Sequence, residues 1–266
     1  MEEVKKKLEL LKAYFDKLES VAVAYSGGVD STLLLKVAHE VLGERAVAVT
    51  VDAINFPRRE MKEAVDFCEV NGIRQIHITF DPLELEEFRT NPADRCYHCK
   101  KKVFKMIKNE MQGQGIFDIV EGTNVDDIGD YRPGMRAISE LGIQSPLREV
   151  GLTKAEIRQL SQGYQLDTYN KPSYACLASR FVYGESITKE RLAMVEQAEQ
   201  KLIELGFGNM RVRMHGMMAR IEVPVDAFEV VIVHREEICE CFKELGFSYV
   251  TMDLTGYRTG SMNETL

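Results

Sequence analysis

The stretch from Val21 to Leu35, VAVAYSGGVDSTLLL, limits what this chain can fold into more than any other. Val21 to Tyr25 is short, small and β-branched, which suits a buried parallel strand better than a helix. The apolar run Leu33-Leu34-Leu35, with Val37 and Ala38, reads as a helix, and Ser26-Gly27-Gly28-Val29-Asp30-Ser31 lies between the two. A strand, a glycine turn and a helix aim unpaired backbone N–H groups at one point, where an anion is stabilised. Gly27 and Gly28 lack a Cβ, so a phosphate can approach the backbone, and Ser26 and Ser31 add hydroxyl donors. Asp30 would repel a phosphate unless a cation stood between them, which predicts Mg²⁺ bridging Asp30 to phosphate oxygens.

Neither GxxxxGK[ST] nor GxGxxG is present. SGGVDS instead resembles the PP-loop of the ATP pyrophosphatase superfamily, which cleaves ATP between the α and β phosphates and holds the leaving pyrophosphate in this loop. An ordinary glycine turn is the competing reading.

Downstream, Ala46–Val51 and Gln75–Thr79 read as strands and Pro57–Val70 as a helix between them. Phe117–Glu121 reads as a fourth strand, ending in Gly122-Thr123. This alternation predicts a doubly wound parallel sheet, with ligands at the carboxyl ends of its strands. Phe80–Arg95 looks irregular, with Cys96-Tyr97-His98-Cys99 at its tip and a basic helix, Lys100–Met111, after it. Thr153 and Glu156 form a capping box opening a helix, and Lys171-Pro172-Ser173 opens a loop with Cys176 and Arg180. A second α/β unit is expected from near Gly184, with a helix from Thr188 to Leu205, paired strands Arg211–Met214 and Ala219–Val223, a helix Arg235–Leu245 and a strand Tyr249–Leu254. Domains are therefore expected at 1–183 and 184–266, the second a smaller α+β unit. The phrase ELGF occurs at 204–207 and 244–247, where Gly follows a helix end. It hints at a ferredoxin-like pseudo-symmetry.

The six cysteines sit in a chain with no apolar leader, so a reducing compartment and metal or redox chemistry are expected rather than disulfides. Cys96-x-x-Cys99 suits a redox pair, half a zinc site, or two ligands of an iron–sulfur cluster. Cys176 would make a third thiolate, leaving one iron open. Three unrelated thiols is the plain alternative. Cys68, Cys239 and Cys241 read as packing residues. Arg132, Arg180, Arg211, Arg213 and Arg258 fall in loops or short strands and suit bidentate capture of carboxylate or phosphate. Arg211 and Arg213 alternate on one strand face, where Glu222 could equally neutralise them in a structural ion pair.

The 266 residues are 45% hydrophobic and 29% charged, and no run approaches a membrane span. A cytoplasmic protein is expected. The net charge of −8 argues against a broad nucleic-acid footprint.

Together SGGVDS, GTNVDDIGDYRPG (122–134), CLASRFVYG (176–184), RVRMHGMMARIE (211–222) and GYRTGSMNE (256–264) resemble the LarE family over nearly the whole chain. The resemblance implies a PP-loop, adenine nucleotide alpha hydrolase-like fold. It implies an ATP-dependent sulfur transferase acting on pyridinium-3,5-biscarboxylic acid mononucleotide, in the route to the nickel-pincer cofactor of lactate racemase. The amides of Gly27, Gly28 and Val29 would then hold the phosphates, Asp30 Mg²⁺, and Gly122 and Thr123 the region near adenosine. The arginine set would cradle the substrate, with Arg211 and Arg213 on its phosphate. In single-cysteine members, the residue matching Cys176 gives up its own sulfur. Cys96 and Cys99 place this chain with a three-cysteine branch, for which a [4Fe-4S] cluster on Cys96, Cys99 and Cys176 is implied. Homo-oligomers are expected by the same resemblance. A tRNA thiolase, an amide-forming ligase and a nucleotide-binding regulator are the alternatives carried by the PP-loop alone.

Overall fold

A computed structural model describes residues 2–127, 133–172, 175–258 and 260–265. The chain forms two compact units: Met1–Asp81 with Cys96–Tyr174, and Pro82–Arg95 with Ala175–Leu266.

The first unit begins with the amphipathic helix α1 (Glu2–Phe15), which buries Val4, Leu11 and Phe15. Then come β1 (Val21–Ala24), α2 (Val29–Leu42), β2 (Ala46–Asp52), α3 (Arg58–Val70) and β3 (Gln75–Thr79). The four-stranded sheet has the order β3-β2-β1-β4 and is parallel throughout, its last strand being Ile119–Val120. Side chains alternate along β1, as strand geometry requires. Val21 and Val23 join a core with α1, α2 and α3, while Ala22 joins one with Phe104, Ile107 and Met111. Both faces are thus covered, which is why the strands read as continuous apolar runs. The strand order reverses direction at β1, between β2 and β4. That is the topological switch point, where an open α/β sheet leaves a crevice at its strands' carboxyl ends. Ser26–Val29 lies there.

Two expectations need correction. Phe80–Arg95 is not wholly irregular: it holds a short helix, α4 (Glu86–Thr90), whose Phe88 is buried. The Cys-x-x-Cys pair is not at a loop tip either. It lies in the first turn of α5 (Arg95–Gly113), which starts earlier than Lys100. The strand expected at Phe117–Glu121 shortens to β4 (Ile119–Val120). The unit is completed by α6 (Pro133–Glu140), α7 (Pro146–Glu149) and α8 (Lys154–Gly163), the last opened by the Thr153/Glu156 capping box.

The second unit holds α9 (Lys189–Glu204), β5 (Arg211–His215), β6 (Met218–Glu222), α10 (Phe228–Val233), α11 (Arg235–Glu244) and β7 (Tyr249–Met252). β5 and β6 pair antiparallel, and β6 and β7 pair parallel after the helical crossover. The ELGF repeat marks two matching helix stops. Phe207 N–H reaches Leu202 O and Phe247 N–H reaches Phe242 O, both at 3.0 Å, around glycines with φ +90° and +108°.

Candidate functional site

Ser26 to Ser31 folds back on itself. Ser26 N–H lies 3.3 Å from Ser31 Oγ, the two hydroxyl oxygens are 3.1 Å apart, and Ser31 Oγ donates to Gly28 O at 3.2 Å. Gly28 caps α2 with no side-chain hydrogen bond, so no side chain of the cap covers the first amides of the helix. Gly27 has φ +70°, and a Cβ on it would stand 3.3 Å from Ala64 Cβ. Both constraints favour glycine there. Gly122 is constrained differently: a Cβ would stand 3.1 Å from Ser31 N and 3.3 Å from Asp30 Cβ, so the chain leaving β4 runs against the start of α2. Thr123 Oγ1 donates to Glu121 Oε2 at 2.7 Å, which fixes that turn.

Asp30 stands in the first turn of α2, about one-fifth exposed. Its carboxylate accepts from Asn124 Nδ2 at 3.1 Å and is ion-paired with Lys154. Lys154 is the first residue of α8, and its backbone N–H is held by Asp126 Oδ2 at 2.7 Å. Lys171 Nζ is the second cation at the loop, 3.1 Å from Gly27 O and 2.6 Å from both Glu60 and Glu63. Sequence reasoning missed Asn124, Lys154 and Lys171 as parts of this site. Lys154 and Lys171 lie beside the capping box and the Lys-Pro-Ser turn, but nothing local indicates their partners.

A carboxylate, backbone amides and two lysines around one loop suit a polyphosphate with its cation. The oxygen chemistry of Asp30 fits Mg²⁺, which takes few carboxylates and several non-protein oxygens. Cys96 and Cys99 are half-buried and three residues apart on α5, so they share a helix face. Two adjacent thiolates suit iron or zinc. Both belong to the first unit, whereas Cys176 belongs to the second. Among the described residues, no group of three or more His, Cys, Asp or Glu side chains is arranged to hold a metal ion. Cys68 is buried on α3, and burial pushes its thiol up to about 12, which keeps it protonated and inert.

The arginines of the second unit are embedded. Arg180 has no exposed surface: Nε and Nη2 donate to Glu199 at 2.8 Å each, and Nη1 donates to Ala175 O at 2.7 Å and Cys176 O at 3.2 Å. Arg213 pairs with Glu222 at 3.0 Å and donates to Ser179 O at 2.8 Å and Ser261 Oγ at 2.9 Å. Arg211 lies buried against the Tyr257 ring, its guanidinium carbon 5.3 Å from the ring centre. Arg258 meets Glu264 through two 2.9 Å bonds. Arg132 lies outside the described residues.

Known proteins narrow the family. An NAD synthase family profile matches residues 3–112. An uncharacterised protein of Synechocystis sp. is 40% identical over 98% of both chains. The pyridinium-3,5-bisthiocarboxylic acid mononucleotide synthase of Lactiplantibacillus plantarum is 37% identical over 98% of this chain and 95% of its own. The chain belongs to the LarE family. LarE proteins are PP-loop enzymes, so Ser26–Ser31 of this LarE protein is a PP-loop in place at the switch point of the expected sheet. A glutamine-hydrolysing GMP synthase of Thermoplasma volcanium is 25% identical over 68% of this LarE chain and 64% of its own, which reflects the shared PP-loop.

Proposed function

We propose that this LarE protein uses ATP to adenylate the carboxylates of pyridinium-3,5-biscarboxylic acid mononucleotide and replaces the activated oxygens by sulfur. The carrying observation is end-to-end similarity to a synthase named for the bisthiocarboxylic acid product, with the PP-loop at the switch point of the sheet. A substrate carboxylate oxygen attacks the α-phosphorus of ATP, the α–β bridging bond breaks, and pyrophosphate leaves. A sulfur nucleophile then attacks the acyl carbon, and AMP leaves with the electrons of the C–O bond. A thiocarboxylate results, and the second carboxylate follows the same course.

The amides of Gly27, Gly28 and Val29, with the Ser26 and Ser31 hydroxyls, hold the departing pyrophosphate. Asp30 carries Mg²⁺, which offsets charge on the polyphosphate, and Lys154 turns from Asp30 toward the phosphates when the cation arrives. Gly122 and Thr123 border the adenosine. Arg211, Arg213 and Arg258, with Arg132, supply positive charge for the substrate's phosphate and carboxylates. The contacts of Arg180 with the Cys176 carbonyl support a role in shaping the sulfur-bearing loop as well as in binding. Cys96, Cys99 and Cys176 would hold a [4Fe-4S] cluster, which supplies sulfide at an open iron. The protein works in the cytoplasm as a homo-oligomer. The exposed apolar side chains of Ile232, Val233 and Leu254 support that assembly.

The test is pyrophosphate release from ATP with the biscarboxylic acid mononucleotide. Release that depends on this substrate is expected in the wild type and is lost in Asp30→Asn. Release equal in Asp30→Asn, or independent of the mononucleotide, overturns the reading.

A further inference from the structure

Lys171 touches neither the expected substrate nor any cysteine, yet it is the best-anchored cation at the loop. Its ammonium has three donors and three acceptors: Gly27 O at 3.1 Å and the carboxylates of Glu60 and Glu63 at 2.6 Å. The side chain is about one-tenth exposed, as is Glu60. Its backbone is fixed as well, because Arg158 on α8 donates to Lys171 O at 2.9 Å and to Tyr169 O at 2.7 Å.

What Lys171 grips is a carbonyl of the phosphate loop itself. The Gly27–Gly28 peptide is planar and trans, so its C=O and N–H point in opposite directions. Holding Gly27 O toward Lys171 therefore turns Gly28 N–H to the opposite side. Between two glycines nothing intrinsic prevents this peptide from rotating by half a turn, since glycine occupies both signs of φ with similar ease. Rotation would aim a carbonyl dipole where an amide is wanted and repel an anion. The two carboxylates already neutralise Lys171, so its bare charge adds little attraction for phosphate.

We infer that Lys171 is a positioning residue that locks the Gly27–Gly28 peptide with its N–H presented to pyrophosphate. The inference rests on the ATP reading proposed above. It concerns the direction of one peptide, not a contact between lysine and phosphate.

Calorimetry on the full chain tests it, with Mg²⁺·pyrophosphate and AMP titrated separately. Lys171→Met is expected to weaken pyrophosphate by about tenfold or more, the scale of one charge-assisted hydrogen bond, and to leave AMP unchanged. Lys171→Arg, which keeps the donors, is expected to restore most of the affinity. Equal pyrophosphate affinity in Lys171→Met and wild type overturns the inference, as does a parallel loss for AMP, which would mark a purely structural role. Should Lys171→Met not fold, Lys171→Gln carries the same comparison. A wild type that binds neither ligand removes the ATP reading instead, so the two failures are distinguishable.

Discussion

At Asp30 the carboxylate has two fixed neighbours, the Asn124 amide and the Lys154 ammonium. A carboxylate so placed is oriented before any cation arrives, and preorganised charge is what stabilises a leaving pyrophosphate. Lys154 is the counter-ion of Asp30 here and a candidate partner for phosphate in the loaded site. Lys154→Ala should therefore lower pyrophosphate release by roughly 10²-fold, the effect of removing one such group from a site. A steady-state pyrophosphate assay checks it, and a change below about threefold would assign Lys154 a structural role only. The cysteines make a separate case at this scale. Anaerobically purified wild type should be brown, and Cys99→Ala should bleach it, since one lost thiolate leaves the cluster short of ligands. Iron and zinc analysis reads the same question, and colourless protein with stoichiometric zinc would favour a structural zinc site.

Among the elements, α8 and α9 organise their units in different ways. The N-terminus of α8 brings Lys154 to Asp30, and its Arg158 holds the Lys171 segment. α9 instead brings Glu199 into a buried pair with Arg180. Burial alone would raise the Glu199 carboxyl, but Arg180 and the N–H of Val212 outweigh it and hold the carboxyl below the usual range. The folded state thus binds this proton less readily than the unfolded chain. Its stabilisation is present above the ordinary glutamate range and disappears as pH falls through and below it. Glu199→Ala removes one partner and leaves Arg180 buried and uncompensated, which should cost about 3–5 kcal/mol. Urea unfolding at pH 7 measures the loss. Acid titration of the wild type should show the decline only below about pH 5.

For the whole molecule, charge and apolar surface point to different partners. A net charge of −8 disfavours a polyanion the size of tRNA, while a small mononucleotide needs only a local set of arginines. The apolar surface of α10, with Val230, Ile232 and Val233 exposed, is what a symmetric assembly would cover. Ile232→Asp should shift the protein to a smaller species in light scattering and leave its circular dichroism unchanged. An unaltered mass would remove α10 from the interface. No helix among the described residues is long and apolar enough to cross a membrane.

The sequence by itself determined what depends on near neighbours. The β-branched run before SGGVDS, the glycines within it and the apolar helix after it specify the phosphate loop. The capping box at Thr153 and the Gly206 and Gly246 stops fix helix ends, because each is a hydrogen-bond pattern closed within a few residues. The period of Phe80–Arg95 was obscured by Pro82 and Pro92, so α4 was not legible. The start of α5 was hidden because Cys-Tyr-His-Cys carries no helix-opening signal. Only the tertiary structure decided which charges meet. Lys154 reaches Asp30 across 124 positions and Lys171 reaches Gly27 across 144. It also decided that Arg180 and Arg213 are committed to Glu199 and Glu222. Propensity and periodicity act over a few residues, whereas an ion pair depends on where the sheet order and its crossovers bring distant segments.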